Sequence, residues 1–130
     1  MVKQSTKLEL YNYLFSEFNA LGVPVIRTKD LNQELPYPFI AIQTVDDKIS
    51  RLTFDSYGGA PSATIHIWGI EQEVLTNDML LAKVQDILLD ELLLPHYHLF
   101  QPQMTVNETI ETESNQELSH TIINIEYESH

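Results

Sequence analysis

Apolar residues recur at spacings of three and four near the start of the chain and again in its second half, and alternate with polar residues between and after. Leu8, Tyr11, Leu14, Phe15, Phe18 and Leu21 form one stripe at helical spacing, which predicts an amphipathic first helix packed on a sheet. Ser5 or Thr6 is placed to cap it, and Glu9, three residues after Thr6, completes a capping-box pattern. Gly22 supplies the left-handed turn that ends such a helix. Residues 23–27 then read as a short strand, and Pro24 places it at a sheet edge. Residues 28–35 read as a polar connection.

Residues 36–69 organise the rest. Pro36 and Pro38 enforce an extended lead into a strand that starts at Phe39 and is apolar on both faces. Residues 46–57 either extend that strand or form a projecting loop, with Gly58 and Gly59 supplying freedom for a turn. The next strand alternates cleanly: Ala63, Ile65 and Ile67 share one face, and Ser62, Thr64, His66 and Trp68 the other. A polar face bearing one Trp is partly solvated or used for contact with another subunit.

The second helix is capped at Thr76 or Asn77, or begins earlier at residues 71–73. Leu80, Val84, Ile87 and Glu91 lie on one line with Leu81, Leu88 and Leu92 flanking it, an arc wide enough to predict a central, well-buried helix. Pro95 marks its end. Residues 99–106 form a strand interrupted at Pro102, an edge or bulge signal. Ser114, Asn115 and Gln116 form a turn into a final strand with Thr121, Ile123, Ile125 and Tyr127 inward and Asn124, Glu126 and Glu128 outward. The order α-β-β-β-α-β-β predicts one α+β domain over residues 1–130: a mostly antiparallel sheet of about four to five strands flanked by two helices.

Charge changes the picture of function more than of fold. Seven Lys and Arg stand against 19 Asp and Glu, a net charge of −12, which disfavours binding to nucleic acid or to anionic lipid and leaves a basic partner open. The chain contains no cysteine, so thiol catalysis, disulfides and cysteine zinc sites are excluded. No apolar run approaches a membrane span, and the first residues lack a signal-peptide core. The expected compartment is the cytoplasm.

Candidate chemistry is sparse. His96 and His98 are spaced to face one side of a strand and share an ion, but zinc wants further ligands and no neighbouring motif supplies them. A surface pair is the plainer reading. Asp46, Asp47 and Asp55 lack the glycine and glutamate positions of a calcium loop. His66 has no nucleophile elbow beside it, and the Gly58-Gly59-Ala60-Pro61 run has no phosphate-loop ending. Glu108, Glu111, Glu113 and Glu117 form a docking face for a basic partner or a solubilising edge. No catalytic, cofactor or metal site is expected.

The succession of an amphipathic helix, Tyr37-Pro38-Phe39-Ile40-Ala41-Ile42, an Asp-containing loop, Ile65-His66-Ile67-Trp68-Gly69 and a Leu-rich helix resembles a known family over residues 8–92. It is similar to the tail terminators, or head–tail joining tail-completion proteins, of long flexible-tailed phages of Gram-positive bacteria. The resemblance implies a non-enzymatic virion assembly protein. Such a protein caps the tail tube, meets the head connector, and acts as a homo-oligomeric ring, possibly a hexamer. It would be made in the infected bacterium's cytoplasm and end in the virion tail. A closing ring needs two different surfaces of each subunit to meet. Ser62, Thr64, His66 and Trp68, with Asp55 and Tyr57 of the 48–59 segment, are the expected interface residues, together with the strand near Pro24 and the final hairpin. The competing reading is an acidic DNA-mimic inhibitor that captures a basic protein. No membrane and no sequence-specific nucleic-acid partner is expected.

Overall fold

The computed structural model describes residues 5–27, 35–51 and 57–129. Helix α1 (Thr6–Asn19) is followed by strands β1 (Val25–Arg27), β2 (Phe39–Arg51) and β3 (Tyr57–Ile70). Helix α2 (Val74–Leu89) and strands β4 (Leu92–Leu93), β5 (His98–Glu113) and β6 (Gln116–Ser129) complete the chain. The strands form one sheet in the order β1-β2-β3-β6-β5-β4. The α+β class is as expected, but the sheet has six strands and is mixed. β1 runs parallel to β2, with Val25 opposite Ile40, and the two-residue β4 is a strand the sequence pattern did not reveal. Eleven residues separate Arg27 from Phe39, a length that a two-residue hairpin does not need and a parallel pairing does.

Both helices lie on one face. Leu10, Leu14 and Phe18 of α1 and Leu80, Val84 and Leu88 of α2 share a single core with Ile40, Ile42, Ala63, Ile65, Ile67, Ile123, Ile125 and Tyr127. The inward alternation predicted for β3 and β6 holds at every one of these positions. Burial pushes the Tyr127 hydroxyl well above its usual pKa. Its O–H donates to the Leu88 carbonyl at 2.6 Å, fastening the last turn of α2 to the centre of the sheet.

Helix phases depart from expectation. The buried line of α1 is Thr6, Leu10, Leu14 and Phe18, whereas Leu8 and Phe15 are 44% and 38% exposed. Ser5 is the cap, accepting from the Leu8 N–H at 3.2 Å, so Glu9 sits one position too far along for a capping box and is buried instead. Gly22 does adopt the left-handed conformation, with φ of 85°, three residues beyond the helix end. α2 begins at Val74, so Thr76 and Asn77 lie inside it. It is not buried all round: Leu75, Met79 and Leu89 are exposed, because no second layer covers its outer side among the described residues.

The two hairpins are long. β2 continues to Arg51 with Arg51 opposite Tyr57, so the extended-strand alternative for residues 46–57 is the one adopted as far as residue 51. Gly58 and Gly59 are paired within β3, opposite Ser50 and Ile49, and not in a turn. Asp55 lies outside the described residues. β5 and β6 are joined at Ser114 and Asn115, both at positive φ, the conformation that matches a two-residue hairpin loop to strand twist. The register slips between Phe100 and Gln103, placing a bulge at Pro102 as its missing N–H requires.

Gly69 shows a close approach. Asn77 Nδ2 donates to the Ile70 carbonyl at 2.8 Å, closing the β3–α2 connection. A Cβ at Gly69 would lie 2.8 Å from Asn77 Cγ and nearer still to its Oδ1. Gly69→Ala is therefore expected to destabilise the fold by about 1–3 kcal/mol in urea unfolding. In an Asn77→Ala background the same change should cost little, since the obstructing side chain is gone.

Candidate functional site: the open face of the sheet

No helix of the described residues lies on the other face of the sheet, and there side chains of neighbouring strands pair with one another. Pairing sets Phe39 opposite Trp68 and Ala41 opposite His66 across β2 and β3. It also sets Trp68 opposite His120 across β3 and β6, and His120 opposite Thr109 across β6 and β5. The result is an aromatic ladder running across the strands. Tyr37 and Phe39 have ring centroids 5.6 Å apart, Phe39 and Trp68 6.4 Å, and Trp68 lies 3.8 Å from His120 at 12° between planes. Such stacked pairs add about 0.5–1.5 kcal/mol each beyond the area they bury.

A hydrogen-bonded polar chain crosses the same face. His66 Nδ1 and His120 Nε2 are 2.7 Å apart. His66 Nε2 meets Gln43 Oε1, and the Glu111 carboxylate accepts from His120 Nδ1. Four strands are thereby linked by the line Gln43–His66–His120–Glu111. With the Gln43 oxygen toward the ring, all three bonds can be made together only if one of the two imidazoles, His66 or His120, donates from both nitrogens. Turning the amide over lets both rings stay neutral, with each donating in turn toward Glu111. Burial, and then the neighbouring His120, push the pKa of His66 below its ordinary value, with Glu111 acting in the opposite sense. The indole N–H of Trp68 is buried with no hydrogen-bond partner among the described residues.

Of the residues expected at an interface, Ser62, Thr64, His66 and Trp68 do share this face. Thr64 Oγ1 donates to Asn124 Oδ1 at 2.8 Å, and Ser62 and Thr64 border an open recess of about 550 Å³ between β3, β6 and β5. Tyr57 begins β3 at its far end. Sequence reasoning missed Gln43 and His120 as partners of His66, and Glu111 as the partner of His120. His120 has the same parity in β6 as Asn124 and Glu126, which was legible; that it lies beside His66, 54 positions away, depends on register.

His96 and His98 do not converge. His96 precedes β5, and its backbone N–H donates to Glu9 Oε1 at 2.9 Å while its Nδ1 meets Glu9 Oε2 at 2.6 Å. His98 instead meets Glu91 at 3.1 Å. No group of three or more potential ligands able to hold a metal is present among the described residues. Asp46 and Asp47 stand at successive positions of β2, not in a loop. Glu108 accepts from Ser119 Oγ at 3.3 Å, so part of the acidic series is tied into the hairpin rather than freely solvated. Among the described residues no helix is long and apolar enough to cross a membrane.

No model of a known protein family matches the chain, and no curated protein does. Among solved structures, the chain is similar to one described as the virion of a native gene transfer agent particle. The TM-score is 0.61 at 13% sequence identity, covering 97% of this chain and 96% of that one. The likeness is one of fold, carried from end to end.

Two outcomes follow. Glu9→Ala removes both hydrogen bonds that the buried Glu9 carboxylate makes to His96 and should cost about 1–3 kcal/mol in denaturant unfolding. Because the fold lowers the pKa of His66, the unfolded chain binds more protons as the pH falls below about 6.5, the ordinary histidine value. Stability should therefore be full above that pH and fall as the pH drops through it, levelling once His66 protonates in the folded state. His66→Gln should flatten this part of the stability–pH curve.

Proposed function

We propose that this chain is a non-enzymatic virion assembly protein that caps a phage tail tube and joins it to the head connector, working as a homo-oligomeric ring. The observation that carries the reading is the end-to-end fold likeness to a chain of a gene transfer agent virion, over 97% and 96% of the two chains. The open sheet face supports it. A layer of aromatic side chains with no helix over it among the described residues suits a surface completed by a neighbour. The net charge of −12 suits the wall of a DNA conduit, where repulsion keeps passing DNA from adhering. On this reading the partners are further copies of the chain, the tail-tube protein and the connector. The protein is made in the cytoplasm of the infected bacterium and ends in the virion tail.

One observation favours a second reading. The β5–β6 hairpin carries six glutamates, and no Lys or Arg follows Lys83, a distribution that also suits an acidic inhibitor masking a basic protein. The two readings separate by solution mass. Light scattering should show a closed oligomer, alone or on mixing with tail-tube protein, and Trp68→Ala should weaken that association by about 30-fold, the loss expected of an interface anchor. A strict monomer that ignores tube protein and binds a basic protein one to one would favour the inhibitor.

A further inference from the structure

The line Gln43–His66–His120–Glu111 takes one side chain from each of β2, β3, β6 and β5, and the placing of its protons is free to vary. All four ring nitrogens are engaged. Gln43 meets His66 Nε2, His66 Nδ1 and His120 Nε2 meet each other at 2.7 Å, and His120 Nδ1 meets Glu111. Two arrangements make every bond. In the first, both rings are neutral: the Gln43 amide donates to His66 Nε2, His66 Nδ1–H to His120 Nε2, and His120 Nδ1–H to Glu111. In the second, the Gln43 oxygen accepts from His66 Nε2–H, and the pair carries one more proton. The two differ by that proton and a half-turn of one amide.

We propose that this line is a one-proton switch in the open face of the sheet, in which proton uptake turns the Gln43 amide and leaves a positive charge on His120. The proton binds His66 Nε2, the outer nitrogen, as the amide presents its oxygen. The proton already on His66 Nδ1 passes to His120 Nε2. His66 thus ends neutral, and His120 ends as an imidazolium that donates from both nitrogens. Position selects His120 for the charge. Its Nδ1 meets the Glu111 carboxylate. Its ring lies on Trp68, with centroids 3.8 Å apart and 12° between planes, and an indole face attracts a cation. His66 has only the uncharged Gln43 beyond it, and burial disfavours its charged form. The groups facing the pair are Glu111 from β5, Gln43 from β2 and Trp68 from β3, while Glu113 acts on Tyr37 at the end of the ladder. A second proton sets N–H against N–H at His66 Nδ1 and His120 Nε2, with no acceptor between them, and parts the rings. Acid therefore alters the open face in two steps, both properties of the coupled pair. This inference concerns the chain alone and goes beyond the proposed place in a virion.

Nitrogen NMR of the full chain reads these protons directly, because charged, donating and accepting imidazole nitrogens have separate chemical shifts. His66→Gln and His120→Gln assign the two rings among the five histidines. As the pH is lowered through the ordinary histidine range, His120 is expected to become an imidazolium. His66 is expected to stay neutral in that step and to move its proton from Nδ1 to Nε2. Trp68, the chain's only tryptophan, should lose emission in the same step, since an imidazolium stacked on an indole quenches it. Glu111→Gln should weaken uptake of the first proton about ten-fold, as the carboxylate beside His120 is lost. His120→Phe, which keeps a ring on Trp68, should abolish the pH-dependent quenching. An imidazolium that forms first on His66, a His66 proton that stays on one nitrogen, or two rings that titrate independently overturns the proposal. So does Trp68 emission that is unchanged through the first step. A chain that unfolds, by far-UV circular dichroism, before the pair takes up its first proton overturns it as well.

Discussion

Among the described residues, helices cover one face of the sheet only, and most of what distinguishes this protein follows from that. Six strands give two surfaces, and the two helices supply enough apolar side chain for one of them. On the covered side the result is a continuous core from Leu10 and Phe18 to Val84 and Tyr127. On the other, Phe39, Trp68, His120 and His66 stack on one another across the strands, and Gln43 and Glu111 close the line of hydrogen bonds at its two ends. A face built of half-buried aromatics and a paired polar chain is ordered before any partner arrives. Little side-chain freedom is then left to lose on association.

The same shortage of cover recurs at the edges and on α2. β1 and β4 are too short to protect β2 and β5 along their length, and the outer side of α2 leaves Leu75, Met79 and Leu89 exposed. The bulge at Pro102 and the glutamates of β5 are the usual means of keeping an open edge from indiscriminate pairing. A chain so finished is protected against random strand pairing along its open edges.

Much of this was legible in the residues. Alternation in 62–68 and 121–127 assigned both strand faces correctly, Pro24 marked an edge, Pro102 a bulge, and Ser114-Asn115 a hairpin turn. The α1 phase was not, because Leu8, Leu10, Tyr11, Leu14 and Phe15 leave more than one apolar line to choose from, and tertiary packing chose Leu10. Glu9 reads locally as a cap residue; only the fold brings His96 to it across 87 positions. Likewise the breadth of the apolar arc on α2 suggested a central, well-buried helix, whereas Leu75, Met79 and Leu89 are exposed on its outer side. What the sequence pattern could not give was register, and the His66–His120 line exists only through register.

Trp68 is the chain's only tryptophan and stands in the middle of the open face, so its emission reports directly on whether that face is the assembly surface. Fluorescence should be followed while the protein is titrated with preformed tail tubes, with complex formation measured in parallel by sedimentation. A blue shift and loss of access to a soluble quencher, in step with sedimentation, are the predicted result. Tubes that carry the protein down while the Trp68 spectrum and quenching stay those of the free chain would contradict it.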